Sequence, residues 1–458
     1  LRLLLGGNVL PVLCPRADIQ RIIDGYFEQA GENAADMIDS LSVDGEEGDV
    51  TTLDALESDR DLLDLANEAP IIKLINLIIS GAVKERASDI HIEPFERTVR
   101  VRYRIDGVLY EKFTVPRGQL AAVVSRIKIM ANLNIAEHRL PQDGRIKIRL
   151  SGKEIDIRVS IIPIAHGERV VMRILEKGNF LFSLEQLGMA RDDHELVDKL
   201  IQSSHGIFLV TGPTGSGKST TLYAALQRVN SPDKNIITVE DPIEYQIPGI
   251  SQIQVRPKIG LTFAAGLRSI LRQDPDVILV GEIRDLETAE MAVQASLTGH
   301  LVFSTLHTND SAGAITRLVN MGIEPFLVTS STIAIQAQRL IRRVCPECQT
   351  WYEPDVESLL ELGIPHDDAM NRTVARGEGC KTCSERGYYG RTGIFELLVM
   401  MPNIQEMALQ GADSNVIKRE ARKAGMRTLR EDGARKVLQG LSTVEEVLRV
   451  TRDDLLEE

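Results

Sequence analysis

The sequence predicts an α/β fold in which a mostly parallel sheet carries a glycine-rich loop and an α+β domain precedes that sheet. Apolar, strand-like runs alternate with helix-like segments from about residue 184 onward, which is the pattern of a mostly parallel sheet. A glycine-rich run at 212–220 directly follows one of these apolar runs. Upstream, polar and apolar residues alternate along 99–109, as in strands that bury one face.

The composition fits a globular protein with more than one domain. The chain has 458 residues, of which 43% are hydrophobic, and this length supports two to four separate cores. The formal net charge is −13, and residues 32–68 alone carry 13 acidic residues against one basic residue, Arg60. We interpret 31–68 as a solvated acidic linker in preference to a docking motif. The rest of the chain is nearly neutral, which argues against a general nucleic-acid binder.

Two segments before and at the start of the α+β region differ in character. The mixture of Leu-rich and polar stretches in residues 1–30 predicts the remnant of a small N-terminal domain whose start is missing. The longest apolar stretch, 69–83, contains Lys73 and Asn76 and is too short to span a membrane. Any membrane role is therefore expected to be peripheral.

The pattern of helices and alternating strands in residues 69–183 predicts the α+β domain itself. The dipeptide Asp106-Gly107 interrupts the alternating pattern and predicts a hairpin. Helices are expected at 71–85 and 120–130, and further strands at 144–150, 154–161 and 169–175.

The alternation of helices and strands from residue 184 predicts that residues 184–458 form the domain that contains the mostly parallel sheet. A section at 340–395 holds two cysteine pairs, and 396–458 is expected to be helical with breaks near Gly411, Gly425 and Gly440. The strand candidates are 207–211, 236–240, 277–281 and 300–305.

The run at 212–220 has the spacing of a phosphate-binding loop, G-x-x-x-x-G-K-[ST], between a strand-like and a helix-like segment. Glycines let backbone N–H groups converge on anionic oxygens, and the following helix adds its positive dipole end. Lys218 is expected to reach the β- and γ-phosphates, and the Ser219 hydroxyl to bind Mg²⁺. The sequence therefore predicts nucleoside triphosphate binding. The predicted binding residues are Gly212, Pro213, Thr214, Gly215, Ser216, Gly217, Lys218, Ser219 and Thr220.

Acidic residues follow two of the predicted strands. Glu282 comes after an apolar run at 277–281, where many phosphate-loop proteins place an acid that holds Mg²⁺. Because this acid follows a glycine, direct and water-mediated contact with the metal both remain open. Glu240 ends the strand candidate at 236–240, Asp241 and Glu244 come after it, and any of the three could orient or deprotonate an attacking water.

Two histidines lie near the two ends of the strand candidate at 300–305, His300 at its start and His307 beyond its end. His307 lies past its end among Thr and Asn residues, where it could sense a γ-phosphate or serve a structural purpose. His300 leads into the strand and is the weaker candidate.

Four of the five cysteines form two C-x-x-C pairs, with 31 residues between the pairs. Four thiolates in this arrangement predict a closed, structural zinc site. The long intervening loop adds only about 0.6 kcal/mol of closure entropy per doubling in length. Redox pairs and free thiols are the alternatives, and Cys14 stands alone. The predicted zinc ligands are Cys345, Cys348, Cys380 and Cys383.

Phosphoryl transfer also needs positive charge near the leaving phosphates. Among many arginines, the sequence alone does not choose between those of the α+β domain and those of the sheet domain. The candidates are Arg104, Arg158 and Arg173 in the first domain, and Arg268, Arg272 and Arg284 in the second.

Taken together, these motifs resemble those of the secretion ATPase superfamily. The phosphate loop, 237–244, 271–276 and 299–309 resemble its Walker A, Asp-box, Walker B and His-box elements. With 87–94 and the tetracysteine, residues 66–458 are similar to the type II secretion assembly ATPases. The resemblance implies a RecA-like P-loop ATPase domain preceded by an α+β PAS-like domain, with a zinc-binding tetracysteine subdomain and a helical C-terminus.

The resemblance also implies roles for individual residues. Glu244 would be the water-activating base, Glu282 the Walker B acid and His307 a phosphate contact. Arg104, Arg158 and Arg173 would clamp the γ-phosphate from the preceding domain, with ATP at the junction of the two domains.

The same resemblance implies an assembly and a place in the cell. Six copies would form a ring that hydrolyses ATP, with Mg²⁺, to drive pseudopilus assembly and protein export across the outer membrane. The ring would lie in the cytoplasm on the inner membrane, bound to the bitopic L and polytopic F platform components, with no nucleic-acid partner. Residues 1–30 would be what remains of the domain that docks on such a partner.

Other functions share part of this evidence. The type IV pilus assembly ATPase has every motif named above and is the main alternative, whereas its retraction counterpart typically lacks the four cysteines. A DNA-moving motor is disfavoured by the near-neutral body, and a nucleotide-gated scaffold without turnover remains open.

Overall fold

The protein contains an antiparallel sheet of six strands and a mainly parallel sheet of seven strands, each in its own compact unit. The chain divides into two compact units, which we call unit 1 (Leu1–Gly178) and unit 2 (Asn179–Glu458). The computed structural model describes Pro15, Ala66 and residues 69–150, 153–176, 182–370 and 372–452.

The predictions for the N-terminal region concern residues that the structure does not describe. The domain remnant at 1–30, including Cys14, and the acidic linker at 31–68 lie outside the described residues, apart from Pro15 and Ala66. The division between the units falls at Gly178, slightly before the expected boundary at 183.

The described part of unit 1 is an antiparallel sheet in the order β3-β2-β1-β6-β5-β4, with two helices. Both predicted helices are present, and the hairpin predicted at Asp106-Gly107 joins β2 to β3. Its elements are α1 Ala69–Lys84, β1 Asp89–Pro94, β2 Thr98–Ile105, β3 Val108–Pro116, α2 Leu120–Met130, β4 Gln142–Leu150, β5 Lys153–Ile164 and β6 Gly167–Glu176.

One face of the unit 1 sheet forms a core with the two helices. Helix α1 places Leu74, Ile75 and Ile78 in this core, at the spacing of an amphipathic helix. The buried hydroxyl of Tyr103 on β2 donates a 2.6 Å hydrogen bond to the carbonyl of Ile78. The opposite face of the sheet carries charged side chains, so the alternation in the sequence reflects one buried and one polar face.

Unit 2 is built on a sheet in the order β15-β12-β7-β11-β10-β8-β9. Neighbouring strands are parallel except β12 and β15, and apolar cores lie against the sheet. The first part comprises α3 Arg191–Leu200, β7 Gly206–Thr211, α4 Lys218–Val229, β8 Ile236–Glu240, β9 Ser251–Gln254, α5 Phe263–Ile270, β10 Val277–Val280, α6 Leu286–Leu297 and β11 Leu301–Leu306.

The second part of unit 2 adds two long strands, a small two-stranded sheet and the C-terminal helices. Strands β13 and β14 pair in an antiparallel manner beside the cysteine pairs. The elements are α7 Ser311–Asn320, α8 Pro325–Ser331, β12 Thr332–Val344, β13 Gln349–Tyr352, α9 Val356–Glu361, α10 His366–Ala369, β14 Val374–Gly377, β15 Tyr388–Val399, α11 Pro402–Leu409, α12 Ser414–Lys423, α13 Leu429–Leu438 and α14 Val444–Val450.

The predicted α/β fold is confirmed, and the four predicted strands are present as β7, β8, β10 and β11. Strands β9, β12 and β15 are additional to those predicted from the sequence. Strand β12 buries the polar residues Gln336, Gln338 and Arg339. Its sequence therefore does not show the apolar pattern of a buried strand. Strand β15 extends to Val399, so the helical region begins at Pro402, and the expected helical start at 396 falls inside a strand.

Among the residues that the structure describes, no helix is both long and apolar enough to cross a bilayer.

Candidate nucleotide-binding site

The phosphate loop lies between the buried strand β7 and helix α4, which begins at Lys218. Gly217 adopts a φ of 89°, in the left-handed region that favours glycine. A Cβ atom at this position would lie 2.7 Å from the side-chain nitrogen of Gln338. The loop is therefore wound tightly against another part of the chain.

Lys218 is buried beneath the loop. Its ammonium group donates to the carbonyls of Gly212 at 2.7 Å and Pro213 at 3.1 Å. Burial lowers the pKa of Lys218 to about 8; the Glu282 carboxylate opposes this shift and the Arg339 guanidinium adds to it. The lysine thus lies within electrostatic reach of both groups.

The outer edge of the loop faces solvent. Pro213, Thr214 and Gly215 are exposed, and Ser219 in the first turn of α4 is exposed as well. Thr220 is half-buried, and Ser216 is buried. Exposed backbone and a hydroxyl at a helix N-terminus are the features that bind phosphate oxygens and a divalent cation.

Glu282 follows β10 and is only 13% exposed. Its carboxylate pairs with the Arg284 guanidinium at 2.6 Å and lies 3.5 Å from His307 Nε2. The neighbouring backbone is fixed because Ile283 N–H donates to the carbonyl of Thr305 at 3.0 Å. Arg284, one of the arginine candidates, is thus engaged with the predicted Walker B acid.

His307 belongs to a loop that is tied to the phosphate loop. The hydroxyls of Thr211 and Thr308 are 2.7 Å apart, and Thr308 N–H donates to the Thr211 hydroxyl at 2.9 Å. The His307 side chain is 47% exposed beside Glu282. His300 lies at the other end of β11, where its Nδ1 atom is 2.8 Å from the carbonyl of Ala295, a structural role.

The three acids near β8 differ in their surroundings. Glu240 is buried, and its carboxylate accepts hydrogen bonds from Tyr223, from Thr238 at 2.6 Å and from Gln252 at 3.0 Å. These donors leave it in a structural position. Asp241 and Glu244 are exposed.

Glu244 is held in place through its backbone. Its N–H group lies 3.3 Å from the Tyr223 hydroxyl, and the Tyr223 ring meets the Tyr245 ring edge-on at a centroid distance of 5.6 Å. Burial, followed by the charge of Glu240, raises the pKa of Tyr223, so this hydroxyl stays protonated as a donor.

The three arginines predicted in unit 1 lie in one row across its sheet. The strand register places Arg104 opposite Asp89, Asp89 opposite Arg173, and Arg173 opposite Arg158. Directly opposite residues share a face of the sheet. Arg173 donates to Asp89 at 3.0 Å, and Arg104 lies 3.7 Å from the same carboxylate. The row therefore combines the three predicted arginines with the Asp89 carboxylate, and the same register continues it to Arg145 opposite Arg158.

The remaining arginine candidates in unit 2 have local partners. Arg268 pairs with Glu287 at 2.8 Å, and Arg272 donates to the carbonyl of Arg268 at 2.8 Å.

Two residues beside the phosphate loop were not identified from the sequence. Gln338 donates to the carbonyl of Ser216 at 2.9 Å, and Arg339 donates to the carbonyl of Asn309 at 2.6 Å. No motif marks them. Their only signal in the sequence is a run of polar residues that interrupts an apolar segment.

The four predicted zinc ligands lie together in unit 2, with all their sulfur atoms within 4.8 Å of one another. The Cys380–Cys383, Cys348–Cys383 and Cys345–Cys380 sulfurs are 3.7, 3.8 and 3.9 Å apart. A tetrahedron with metal–sulfur distances of about 2.3 Å has edges of about 3.8 Å. The sulfur geometry therefore fits a tetrahedral metal ion.

Backbone N–H groups donate to two of these sulfurs, whereas burial without a metal raises the pKa of Cys345 and raises that of Cys348 to about 12. Gly379 donates to Cys348, and Gly387 donates to Cys383, each at 3.3 Å. Burial opposes ionisation of Cys383, but the N–H groups of Cys380 and Gly387 outweigh it and lower the pKa of this thiol to about 7. Such outer contacts stabilise bound thiolates.

Comparison with known proteins gives consistent results. The family described as Type II/IV secretion system protein matches residues 64–449. Type II secretion system protein E of Pseudomonas aeruginosa is 54% identical over 401 residues, which are 88% of this chain and 79% of the relative. Type IV pilus assembly ATPase PilB of Myxococcus xanthus is 47% identical over 456 residues, 99% of this chain and 80% of the relative.

A solved structure of the pilus retraction motor PilT with bound ADP is similar in fold. The TM-score is 0.54 at 26% sequence identity, over 81% of this chain and 95% of the PilT chain.

Proposed function

The chain belongs to the Type II/IV secretion system protein family, and from this premise we propose that it hydrolyses ATP to power pseudopilus assembly and protein export by a type II secretion system. The proposal rests on one observation: Lys218, Glu282 and His307 lie near one another at one end of the unit 2 sheet. His307 lies 3.5 Å from Glu282, and the Glu282 charge acts on Lys218. A glycine-rich loop, a lysine and a strand-end acid are recurring parts of phosphoryl-transfer sites.

In this proposal each residue of the site has a separate role. Gly212 and residues 214–217 bind phosphate oxygens through backbone N–H groups, while Pro213, which has no N–H, restricts the loop backbone. Lys218 exchanges its two carbonyl partners for the β- and γ-phosphates. Ser219 and Glu282 would hold Mg²⁺, with Thr220 beside them, and a bound Mg²⁺ would supply positive charge against the phosphates. His307 contacts the γ-phosphate.

Glu244 is the proposed general base. It would orient and deprotonate the water that attacks the γ-phosphorus while ADP leaves. The contact between its backbone N–H and the Tyr223 hydroxyl, at 3.3 Å, supports the proposal because Tyr223 is itself fixed by the buried Glu240. Its exposed carboxylate is accessible to a substrate water.

Arg104, Arg158 and Arg173 are proposed to supply positive charge to the γ-phosphate during hydrolysis. Their common row on the unit 1 sheet supports a joint role, since clustered guanidinium groups match phosphate oxygens. Asp89 balances part of their charge before a phosphate is bound.

The tetracysteine is proposed to hold a structural Zn²⁺ ion. Sulfur separations of 3.7, 3.8 and 3.9 Å support this assignment, because they match the edges of a tetrahedral thiolate site. The ion would be structural because four thiolates leave no open coordination position for catalysis. Cys345, Cys348, Cys380 and Cys383 would thereby brace the region 340–395.

The proposal extends to domains, assembly and location. We assign 69–183 to a PAS-like domain and 184–458 to the RecA-like domain with its helical C-terminal part. The chain would act as a homohexamer on the cytoplasmic face of the bacterial inner membrane, held there by the bitopic L and polytopic F platform components, without binding nucleic acid.

Type IV pilus assembly is the second candidate, because a pilus assembly ATPase is 47% identical over 99% of this chain. Identity to a type II secretion protein, 54% over 88% of the chain, favours export. The test replaces the chromosomal gene with the Lys218→Ala variant and scores both secreted enzymes and surface pili. Loss of secretion with normal pili is expected. Loss of pili alone would favour the alternative, and loss of neither would contradict both.

A further inference from the structure

Strand β12 extends beyond the strand beside it. Its parallel pairing with β7 ends where Ala337 lies opposite Thr211, yet β12 continues to Val344. The residues that follow Ala337 therefore lie beside the phosphate loop, which itself follows Thr211, and beside the loop that contains His307.

Gln338 bridges the phosphate loop and helix α4 with one buried amide. The side chain is 2% exposed, its nitrogen donates to the carbonyl of Ser216 at 2.9 Å, and its oxygen accepts from the Thr221 hydroxyl at 2.7 Å. A backbone carbonyl can only accept, so the amide orientation is set by the contact with Ser216. The bridge fixes the loop backbone relative to the first turn of α4.

Arg339 makes the corresponding contact on the other side of β12. It is 8% exposed and donates to the carbonyl of Asn309 at 2.6 Å and to that of Gln338 at 3.1 Å. A Cβ atom at Gly212 would lie 3.1 Å from its guanidinium nitrogen and 2.5 Å from the Gln338 carbonyl. Arg339 therefore touches both the start of the phosphate loop and the loop after His307.

We propose that Gln338 and Arg339 are positioning residues that hold the phosphate loop and the His307 loop in the geometry needed for ATP hydrolysis. This inference rests on the proposed ATPase function. It follows from the contacts because N–H groups that stabilise transition-state charge act only when they are held in place beforehand. A displacement of about 1 Å in such a site lowers the rate roughly a hundredfold.

The first test measures loop order without nucleotide or turnover. Hydrogen exchange of the backbone amides of Gly212 and residues 214–218 (Pro213 has none) is followed in the wild type, in Gln338→Met and in Thr221→Val. Both substitutions should accelerate exchange in this loop. Gln405→Met is the matched control, since Gln405 also donates to a backbone carbonyl, that of Thr329 at 3.3 Å, and it should leave exchange at 212–218 unchanged.

The second test separates kcat from KM. Gln338→Met and Arg339→Met should lower kcat about 10- to 100-fold while KM for ATP changes by less than about threefold, and Arg339→Lys should recover part of the loss because it keeps one donor. A structural role alone would lower Tm in these variants without the kcat effect. Loop exchange and kcat at wild-type values in Gln338→Met would overturn the inference.

Failure of the underlying function gives a different result. If the wild type does not hydrolyse ATP, the ATPase proposal fails, and this inference fails with it as a statement about catalysis. If the wild type hydrolyses ATP and the variants retain the wild-type kcat, the inference alone is wrong.

Discussion

Replacing Glu396 by glutamine is expected to stabilise unit 2 at neutral and alkaline pH. Glu396 on β15 is 1% exposed, and its Oε1 atom accepts from the Ser311 N–H at 2.9 Å and from the Ser311 hydroxyl at 2.5 Å. Within the described part of the chain, its Oε2 atom has no hydrogen-bond partner. Burial raises the pKa of this carboxyl; Lys418 opposes the shift and Asp310 adds to it.

The sign of the pH effect follows from this raised pKa. The folded protein keeps the Glu396 proton at pH values where the unfolded chain has lost it. The stabilising contribution is therefore complete below the unfolded pKa and is lost as pH rises through the folded pKa. The free energy of unfolding falls by at most about 1.4 kcal/mol per pH unit in this window.

Glutamine preserves the shape and cannot ionise. Its amide oxygen can accept both hydrogen bonds from Ser311, and its NH2 group takes the place of the protonated Oε2 atom, so the substitution removes the ionisation of this position. Because the variant lacks this pH-dependent loss, its unfolding free energy relative to the wild type should rise with pH by at most about 1.4 kcal/mol per pH unit in this window. The difference should shrink as the pH is lowered.

Urea unfolding between pH 6 and 9 measures this difference. Trp351 is the only tryptophan of the chain and lies on β13 of the same unit, so its fluorescence reports on unit 2. Glu357→Gln removes an equal charge at an exposed position and should have little effect. A destabilised Glu396→Gln variant at pH 8, or a difference that does not vary with pH, would refute the reasoning.

Two further predictions concern the metal site and the arginine row. Cys345→Ser should abolish the binding of one zinc ion per chain, measured by elemental analysis, and should destabilise the cysteine region while the phosphate loop still binds ADP; a metal-free wild type with full activity would contradict this. Arg158→Ala should lower the rate of ATP hydrolysis more than it lowers ATP affinity, because charge on the transferred group increases in the transition state. Equal losses in rate and affinity would instead indicate simple binding.

The sequence was most informative where chemistry depends on neighbouring residues. The phosphate loop, the strand before it and the helix after it lie within a short segment, so their pattern could be recognised directly. The cysteine pairs were also recognisable, since each pair is local and only the meeting of the two pairs requires the fold.

Features that depend on distant segments could not be derived in this way. Gln338 contacts Thr221 across 117 positions, and only the pairing of β12 with β7 brings them together. Glu240 stood among three equivalent acids in the sequence, whereas the fold surrounds it with Tyr223, Thr238 and Gln252. Strand β12 likewise could not be predicted from apolar periodicity, because several of its buried side chains are polar.

The most direct test of the central claim is steady-state phosphate release from ATP and Mg²⁺ by the wild type and by Glu282→Gln, each in an enforced hexamer. We predict sustained turnover by the wild type and a loss of roughly a hundredfold or more in the variant, which should still bind ATP through Lys218 and the phosphate loop. Absence of turnover by the wild type in any assembled form, or wild-type turnover by Glu282→Gln, would contradict the account.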